Sequence, residues 1–463
     1  MPPVLGFDHD RSSAAFDRGV TEQALMSAKQ KTPTRWAPGG VRGVVHRLRR
    51  QEGASVHSGN RNYLIHDNEP VVTASKQLWA SELVSGPNSP VLARFRIFLA
   101  VLDATLPLPS PFKRHDPEFE NAKTRRMPAH MVESLRIGIA LSGGASPSEI
   151  VDCVRLAESL GYESAWVAEG HGGDQFAVLA ACAAQTSRIL LGTSITSVFV
   201  RTAPTIAMAA LTVDDLSRGR FILGVGSSHK VQVEGEHGVL YAKPLTRVRE
   251  TVELVRRLAR DGRIRFHGET VRVENFDLWF TPRRRAFPIY VSAVFPKMTV
   301  LCGEIADGII LTRSTLATAA GIRIHLAEGA LRAGRQPGDV TVTSLLPTAV
   351  GETRQQALDA LRPGLAFYAG FFPRYNRLIA EHGFTAEAAA ISAAWARGDW
   401  NAAERAVSDA LIDATSIAGT PKDCRDRLEA YRRSGIDLPI LSPFARSPGA
   451  KAKFEAAIRA CAP

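Results

Sequence analysis

The sequence predicts an α/β fold, a (β/α)8 barrel of the TIM type. Three observations carry that reading. From Leu135 onward, strand-like and helix-like segments alternate at short spacing. The strand-like segments are unbroken apolar runs, as expected of parallel strands covered by helices. Eight of them can be counted, which suits a closed cylinder better than an open doubly wound sheet.

The elements follow in order. Leu135–Leu141 (LRIGIAL) reads as a buried strand. Ser146-Pro147-Ser148-Glu149 has the form of a capping box with proline at the first helical position. Ile150, Val154 and Ala157 then recur at helical spacing until Gly161 stops the helix. Ala165–Ala168 is the second strand, and Asp174 opens a helix to about Gln185. Ile189–Ile195 is the third strand, Pro204–Leu216 a helix ended by Gly219, and Phe221–Val225 the fourth strand. The pattern continues with helix Leu245–Leu258, strand Ile289–Ser292, helix Lys297–Ala306, strand Gly308–Leu311, helix Leu316–Ala333 and strand Val340–Val350. A helix from Thr353 begins a helical insertion over about 353–420. Thr420-Pro421-Lys422-Asp423 caps a helix to Ser434, and Leu438–Leu441 is the last strand. Arg263–Thr281 reads as a small hairpin outside the repeat.

The barrel is therefore assigned to 131–463. Residues 1–130 read as an N-terminal extension of low order, rich in histidine, proline, arginine and serine with little periodicity. Only Val91–Leu102 has the character of a short helix or strand. Met127 and Met131 stand just before the first strong strand. Translation is expected to start near one of them, or the upstream part to be a floppy extension.

Bulk properties bound the function. Hydrophobic residues make up 45% of the 463, enough for a large core. No run of eighteen apolar residues exists, so no membrane-spanning helix is expected. The first thirty residues lack the apolar stretch of a signal peptide. Five cysteines lie far apart without a CxxC pair, which suits a reducing cytoplasm rather than a disulfide framework or zinc site. The formal charge of +11 invites a nucleic-acid reading. The charges are spread out, however, and the densest cluster is the short run Arg283-Arg284-Arg285, so no nucleic-acid partner is expected.

The stretch GVGSSHKVQVEGEHG, Gly224–Gly238, ends the fourth strand. A dinucleotide fingerprint needs a third glycine and a helix start, but His229 occupies the glycine position and no helix cap follows. His229, Glu234 and His237 lack the H-E-x-x-H spacing, so no metal is expected. No G-x-S-x-G elbow or P-loop occurs. Gly224 and Gly226 either let the strand turn tightly or let backbone approach a ligand.

Barrel chemistry sits at the C-terminal ends of strands. The second strand ends in VAEGHGGD, Val167–Asp174, the third in GTSI, Gly192–Ile195, and the fifth in SAVFPK, Ser292–Lys297. Small residues there let backbone approach a flat ligand. Backbone N–H groups and Lys297 at a helix start suit an anionic tail.

Four stretches in register carry a resemblance: WVAEGHGGDQFAVLAACAAQTSRILLGTSI, RTAPTIAMAALTVDDLSRGRFILGVGSSHKVQVEGEHGV, PIYVSAVFPKMTVLCGEIADGII and IAGTPKDCRDRLEAY. Over about Leu135–Leu441 the chain resembles the bacterial luciferase-like superfamily. The branch it looks most like is that of coenzyme F420-dependent oxidoreductases related to methylenetetrahydromethanopterin reductase. The resemblance implies a deazaflavin ring, coenzyme F420, in the barrel mouth. The ring would rest on a bulge at Ser194 and Ile195, whose bond is expected to be a non-prolyl cis peptide. The fourth-strand loop, with Gly224, Gly226, Glu234 and His237, would shape the pocket. The phosphate-bearing tail would lie among Ser227, Ser228, Ser292, Ala293 and Lys297. Where similar proteins often have Gly-Pro before that lysine, this chain has Val294-Phe295-Pro296, so Phe295 is expected to narrow the tail site or stack on the ligand.

The implied chemistry is hydride transfer between the deazaflavin and a small organic substrate. His171 is the expected proton donor or acceptor, against a surface role for a glycine-flanked loop histidine. Glu169 is the other acid/base candidate, against a barrel-mouth ion pair. Phe367, Phe371, Phe372 and Trp395 of the insertion either line the substrate mouth or pack. Asp307 reads as a structural turn residue. An FMN-dependent monooxygenase on the same barrel is the alternative, and a non-catalytic cofactor- or nucleic-acid-binding protein the weaker one. A homodimer in the cytoplasm is the expected assembly.

Overall fold

The computed structural model describes residues 136–445 and 449–463. The segment assigned to the extension, with Val91–Leu102, Met127 and Met131, lies outside the described residues. In chain order the elements begin β1 (Gly138–Leu141), α1 (Pro147–Ser159), β2 (Ser164–Val167), α2 (Gln175–Gln185), β3 (Leu190–Thr193), β4 (Thr196–Ser197), α3 (Ala203–Leu216), β5 (Phe221–Gly226) and α4 (Lys230–Gly235). Next come α5 (Pro244–Asp261), β6 (Arg263–His267), β7 (Arg272–Asp277), β8 (Ile289–Ser292), α6 (Pro296–Ile305), β9 (Gly308–Thr312), α7 (Thr318–Arg332) and β10 (Thr341–Val350). The insertion contributes α8 (Arg354–Phe371), α9 (Pro373–Glu381), α10 (Thr385–Ala396), α11 (Trp400–Arg405) and α12 (Asp409–Thr415). The chain ends with β11 (Ile417–Gly419), α13 (Pro421–Arg433), β12 (Leu438–Pro443) and α14 (Ala450–Ala460).

Eight parallel strands close on themselves in the order β1, β2, β3, β5, β8, β9, β10, β12, and β12 returns to β1 through Gly138↔Ile440 and Ile139↔Leu441. The expected (β/α)8 barrel is the observed fold. Short β4 and β11 lie beside the upper parts of β5 and β10, and β6 and β7 form the expected antiparallel hairpin.

Strand alternation splits the core into two layers. Ile139 and Leu141 join the large cluster between sheet and helices. Ala140, Trp166, Ile222, Tyr290, Ile310 and Ile440 point into the cylinder and fill it. Trp166 is fully buried and donates to Ser164 Oγ at 2.9 Å. Its ring occupies the space a side chain on Gly192 would need, 2.3 Å from an added Cβ. The interior is thus packed solid, and anything bound must sit above it.

The predicted capping box at Ser146 and the predicted cap at Thr420 both form. Ser146 Oγ accepts from Glu149 N while the Glu149 carboxylate accepts from Ser146 N at 2.8 Å. Thr420 and Asp423 exchange the same pair of bonds. Three elements differ from the sequence reading. The third strand ends at Thr193, and a separate short strand, β4, follows the bulge. A short helix, α4, does follow the glycine loop, although no side chain caps it. The insertion ends in β11, whose Ile-Ala-Gly is too short to read as a strand. Among the described residues no helix is long and apolar enough to cross a membrane.

Candidate functional site

The C-terminal strand ends gather most of the predicted residues. Glu169, just past β2, accepts from Ser197 N at 2.8 Å and from the Arg201 guanidinium. Arg201 also grips Asp174, whose Oδ1 caps α2 by accepting from Phe176 N and Ala177 N. Glu169 therefore stands in a barrel-mouth ion pair that ties β2, the β4 segment and α2 together. His171 lies further out, its side chain 81% exposed and its Nε2 3.3 Å from Glu236 Oε2. Glu169, His171, Ser228 and His237 line one small cavity of about 40 Å³.

The bond Ser194–Ile195, between β3 and β4, is cis, as the resemblance implied. Thr193 fastens this bulge to β5: its Oγ1 donates to Gly224 O at 2.8 Å and accepts from Gly224 N at 2.9 Å. The two glycines are required by these neighbours. A Cβ on Gly224 would lie 1.9 Å from Thr193 O, and one on Gly226 would lie 2.2 Å from Ser292 Oγ and 3.1 Å from Ile195 Cδ1. Close protein packing accounts for their lack of side chains, and it places Ile195, Gly226 and Ser292 side by side.

Around that point lie the remaining residues assigned to a tail. Ser227 is buried, donates to Ser228 O at 3.4 Å, and receives Arg374 Nη1 at 3.5 Å. Ser228 has a left-handed φ of 53°. Ala293 is buried, with its N–H bonded to Ile310 O at 3.3 Å. Lys297 is exposed in the first turn of α6. Phe295 is covered by Arg377, whose guanidinium carbon lies 4.3 Å from the ring centroid.

The loop histidines and carboxylates diverge. His229 turns inward, 4.4 Å from the Phe372 ring and 4.6 Å from Tyr375. Burial of its ring, then the positive charges of Arg374 and Arg313, push its pKa down to about 3. Its Nδ1 is shielded and has no partner among the described residues. Glu234 instead accepts from Tyr241 N at 3.1 Å and lies 3.7 Å from Lys230 Nζ, which holds the α4 loop together.

Sequence reasoning missed the group beside His229. Arg313, the residue after β9, is 7% exposed with φ 51°. Its guanidinium carbon lies 4.0 Å from the Tyr368 ring centroid and 4.7 Å from that of Tyr375. A cation directly at a barrel strand end was the available signal. Of the insertion aromatics, Phe372 reaches the mouth, whereas Trp395 packs on Phe367 at 5.7 Å and Trp400 at 4.2 Å. Asp307 lies at the opposite barrel end, accepting from Ile289 N at 2.8 Å and Arg256 Nη2 at 2.9 Å.

A wider groove of about 790 Å³ lies between the end of α5, the hairpin and Arg285, with Arg257, Arg260, Arg263 and Arg265 on its walls. It is away from the strand C-termini, where barrels place chemistry, and gathers no acid–base pair. The mouth is the stronger site.

Residues 127–438 match the family model described as luciferase-like monooxygenase. The chain belongs to that family. It is an oxidoreductase. It is 28% identical over 308 residues to 5,10-methylenetetrahydromethanopterin reductase of Archaeoglobus fulgidus, covering 65% of this chain and 91% of that protein. The solved coenzyme F420-dependent tetrahydromethanopterin reductase of Methanopyrus kandleri superposes with a TM-score of 0.63 at 25% identity, covering 70% of this chain and 98% of that one. The oxygenating constituent of 3,6-diketocamphane monooxygenase from Pseudomonas putida, solved with FMN, shares the fold alone, with a TM-score of 0.53 at 17% identity over 71% of this chain and 97% of that one.

Proposed function

We propose that this luciferase-like chain is a coenzyme F420-dependent oxidoreductase that moves a hydride between the deazaflavin and a small organic substrate. The observation that carries the reading is a set of shielded polar atoms at the strand ends without partners among the described residues: Ser194 Oγ, His229 Nδ1 and Arg313 Nε. Buried side-chain polar atoms are ordinarily bonded, and each orphan costs about 1–3 kcal/mol. A polar ligand at the mouth would offset that cost, and the F420-named relatives match nearly end to end.

The residues fit such a ligand. Ser194 and Ile195 would support a flat ring, with Gly224 and Gly226 keeping β5 close to that bulge. Ser227, Ser228, Ser292, Ala293 and Lys297, at the start of α6, would hold an anionic tail. When bound, the deazaflavin supplies hydride transfer at one ring carbon. Glu169, fixed by Arg201, holds Ser197 N and so positions the bulge. His171 at the rim, opposite Glu236, is the group to hold or release the accompanying proton. Glu234 and His237 shape the wall beside it. Tyr368, Phe372 and Tyr375 exclude water from above. A cytoplasmic homodimer, with the barrel over 131–463 as its working part, completes the proposal.

The test is binding. Purified full-length protein is titrated separately with F420 and with FMN, and the absorbance of each is followed. F420 should bind with a perturbed spectrum, and Lys297→Ala should weaken it. Tight FMN binding with no affinity for F420 would instead support the monooxygenase reading.

A further inference from the structure

Several other arginines in this fold are neutralised or multiply bonded. Arg284 meets the buried Asp214, and Arg201 meets Glu169 and Asp174. Arg220 donates to the carbonyls of Ser217, Ile189, Ala183 and Thr186. Arg313 is different. It is more enclosed than any of these, yet its guanidinium makes one side-chain hydrogen bond, from Nη1 to Thr312 Oγ1 at 3.2 Å, and no ion pair among the described residues. Tyr368 and Tyr375 pack against it with their ring centroids 5.8 Å apart, so they crowd adjacent sides of the guanidinium rather than sandwich it. Among the described residues no hydrogen bond is made by the in-plane edge formed by Nε and Nη2, and Nε is shielded from solvent.

This edge is the fork that receives two oxygens of a carboxylate or phosphate side by side. A buried cation without an anion is costly, and aromatic faces alone compensate it only in part. Arg374, hydrogen-bonded only to Ser227 among the described residues and lying 5.3 Å over the Tyr241 ring, adds a second cation at the same mouth. His229, neutral between them, adds none.

We propose that Arg313 is an anion receptor, and that the substrate taken at this mouth is an organic acid held side-on through its Nε–Nη2 edge. The proposal deepens the oxidoreductase reading and rests on it for the word substrate.

Full-length protein is titrated by calorimetry with acetate, hexanoate and benzoate, each compared with its primary amide. The acids should bind about ten-fold or more tightly than the amides, the scale of a charge-assisted bond. Arg313→Gln should abolish that preference while circular dichroism stays native. Should that variant fail to fold, Arg313→Lys, which keeps the charge but loses the fork, should lose most of it. Equal binding of acid and amide, or a preference that survives Arg313→Gln, overturns the proposal. The titrations are repeated with saturating F420. A preference that persists assigns the edge to substrate; one that F420 removes by competition assigns it to the cofactor's acidic tail and defeats the substrate claim. The first titrations need no deazaflavin, so a chain that ignores F420 yet prefers acids refutes the proposed function and leaves the receptor standing.

Discussion

His229 shows how one side chain reports on its surroundings. Its ring is held neutral, at a pKa of about 3, first by burial and then by Arg374 and Arg313. The unfolded chain would protonate it near the ordinary value of about 6.5. As pH falls, the unfolded state therefore takes up the proton first. The stability this group contributes is complete above about pH 6.5 and is lost progressively toward pH 3, at up to about 1.4 kcal/mol per pH unit. His229→Phe, which keeps the ring contacts with Phe372 and Tyr375, should flatten that part of a melting temperature against pH curve. An unchanged slope would place the titration elsewhere. At this scale the sequence is only partly legible. Ser194, Ile195, Gly226 and Ser292 sit close in the chain to strand ends, so their neighbourhood follows from the strand pattern. Tyr368 and Tyr375 flank Arg313 from a helical segment far along the chain, and nothing local to any of the three marks the pairing.

Elements are held in place by a few enclosed charges. Asp214 on α3 is fully buried and takes Arg284 Nε at 3.1 Å on both oxygens, which pins α3 to the loop before β8. Neighbouring Arg283 meets Asp215 at 3.0 Å. The most basic run in the chain is thus largely a clamp on one helix. Arg284→Met would leave the Asp214 carboxylate buried and alone, and should cost about 3–5 kcal/mol in urea unfolding. A loss below about 1 kcal/mol would mean the carboxylate finds water. Elements were the most legible level. A strand buried on both faces reads as an unbroken apolar run, as in Phe221–Val225, and Ser146 with Glu149 announces its helix by chemistry. Helix α4 escaped because it starts without a capping side chain, and β11 because three small residues borrow their strand character from β10.

Across the whole molecule the decisive junction is where the chain's first and last barrel strands meet. Only Gly138↔Ile440 and Ile139↔Leu441 register between β1 and β12, but α14 braces the junction from outside. Lys451 meets Asp152 at 2.6 Å, and Tyr162 donates to Ile458 O at 2.8 Å. Hydrogen exchange should therefore find peptides 137–141 and 438–442 as protected as 221–225, since a closed cylinder opens as one unit. Rapid exchange confined to the junction would show that the ring parts there first.

The helices that roof the mouth come from one uninterrupted stretch and carry their own apolar core, built around Leu358, Leu365, Ile391 and Leu411, separate from the core of the barrel wall. Floor and roof are therefore answerable to different constraints. Changes in the canopy can redraw what is admitted while the hearth beneath, fixed by eight strands at once, stays as it is.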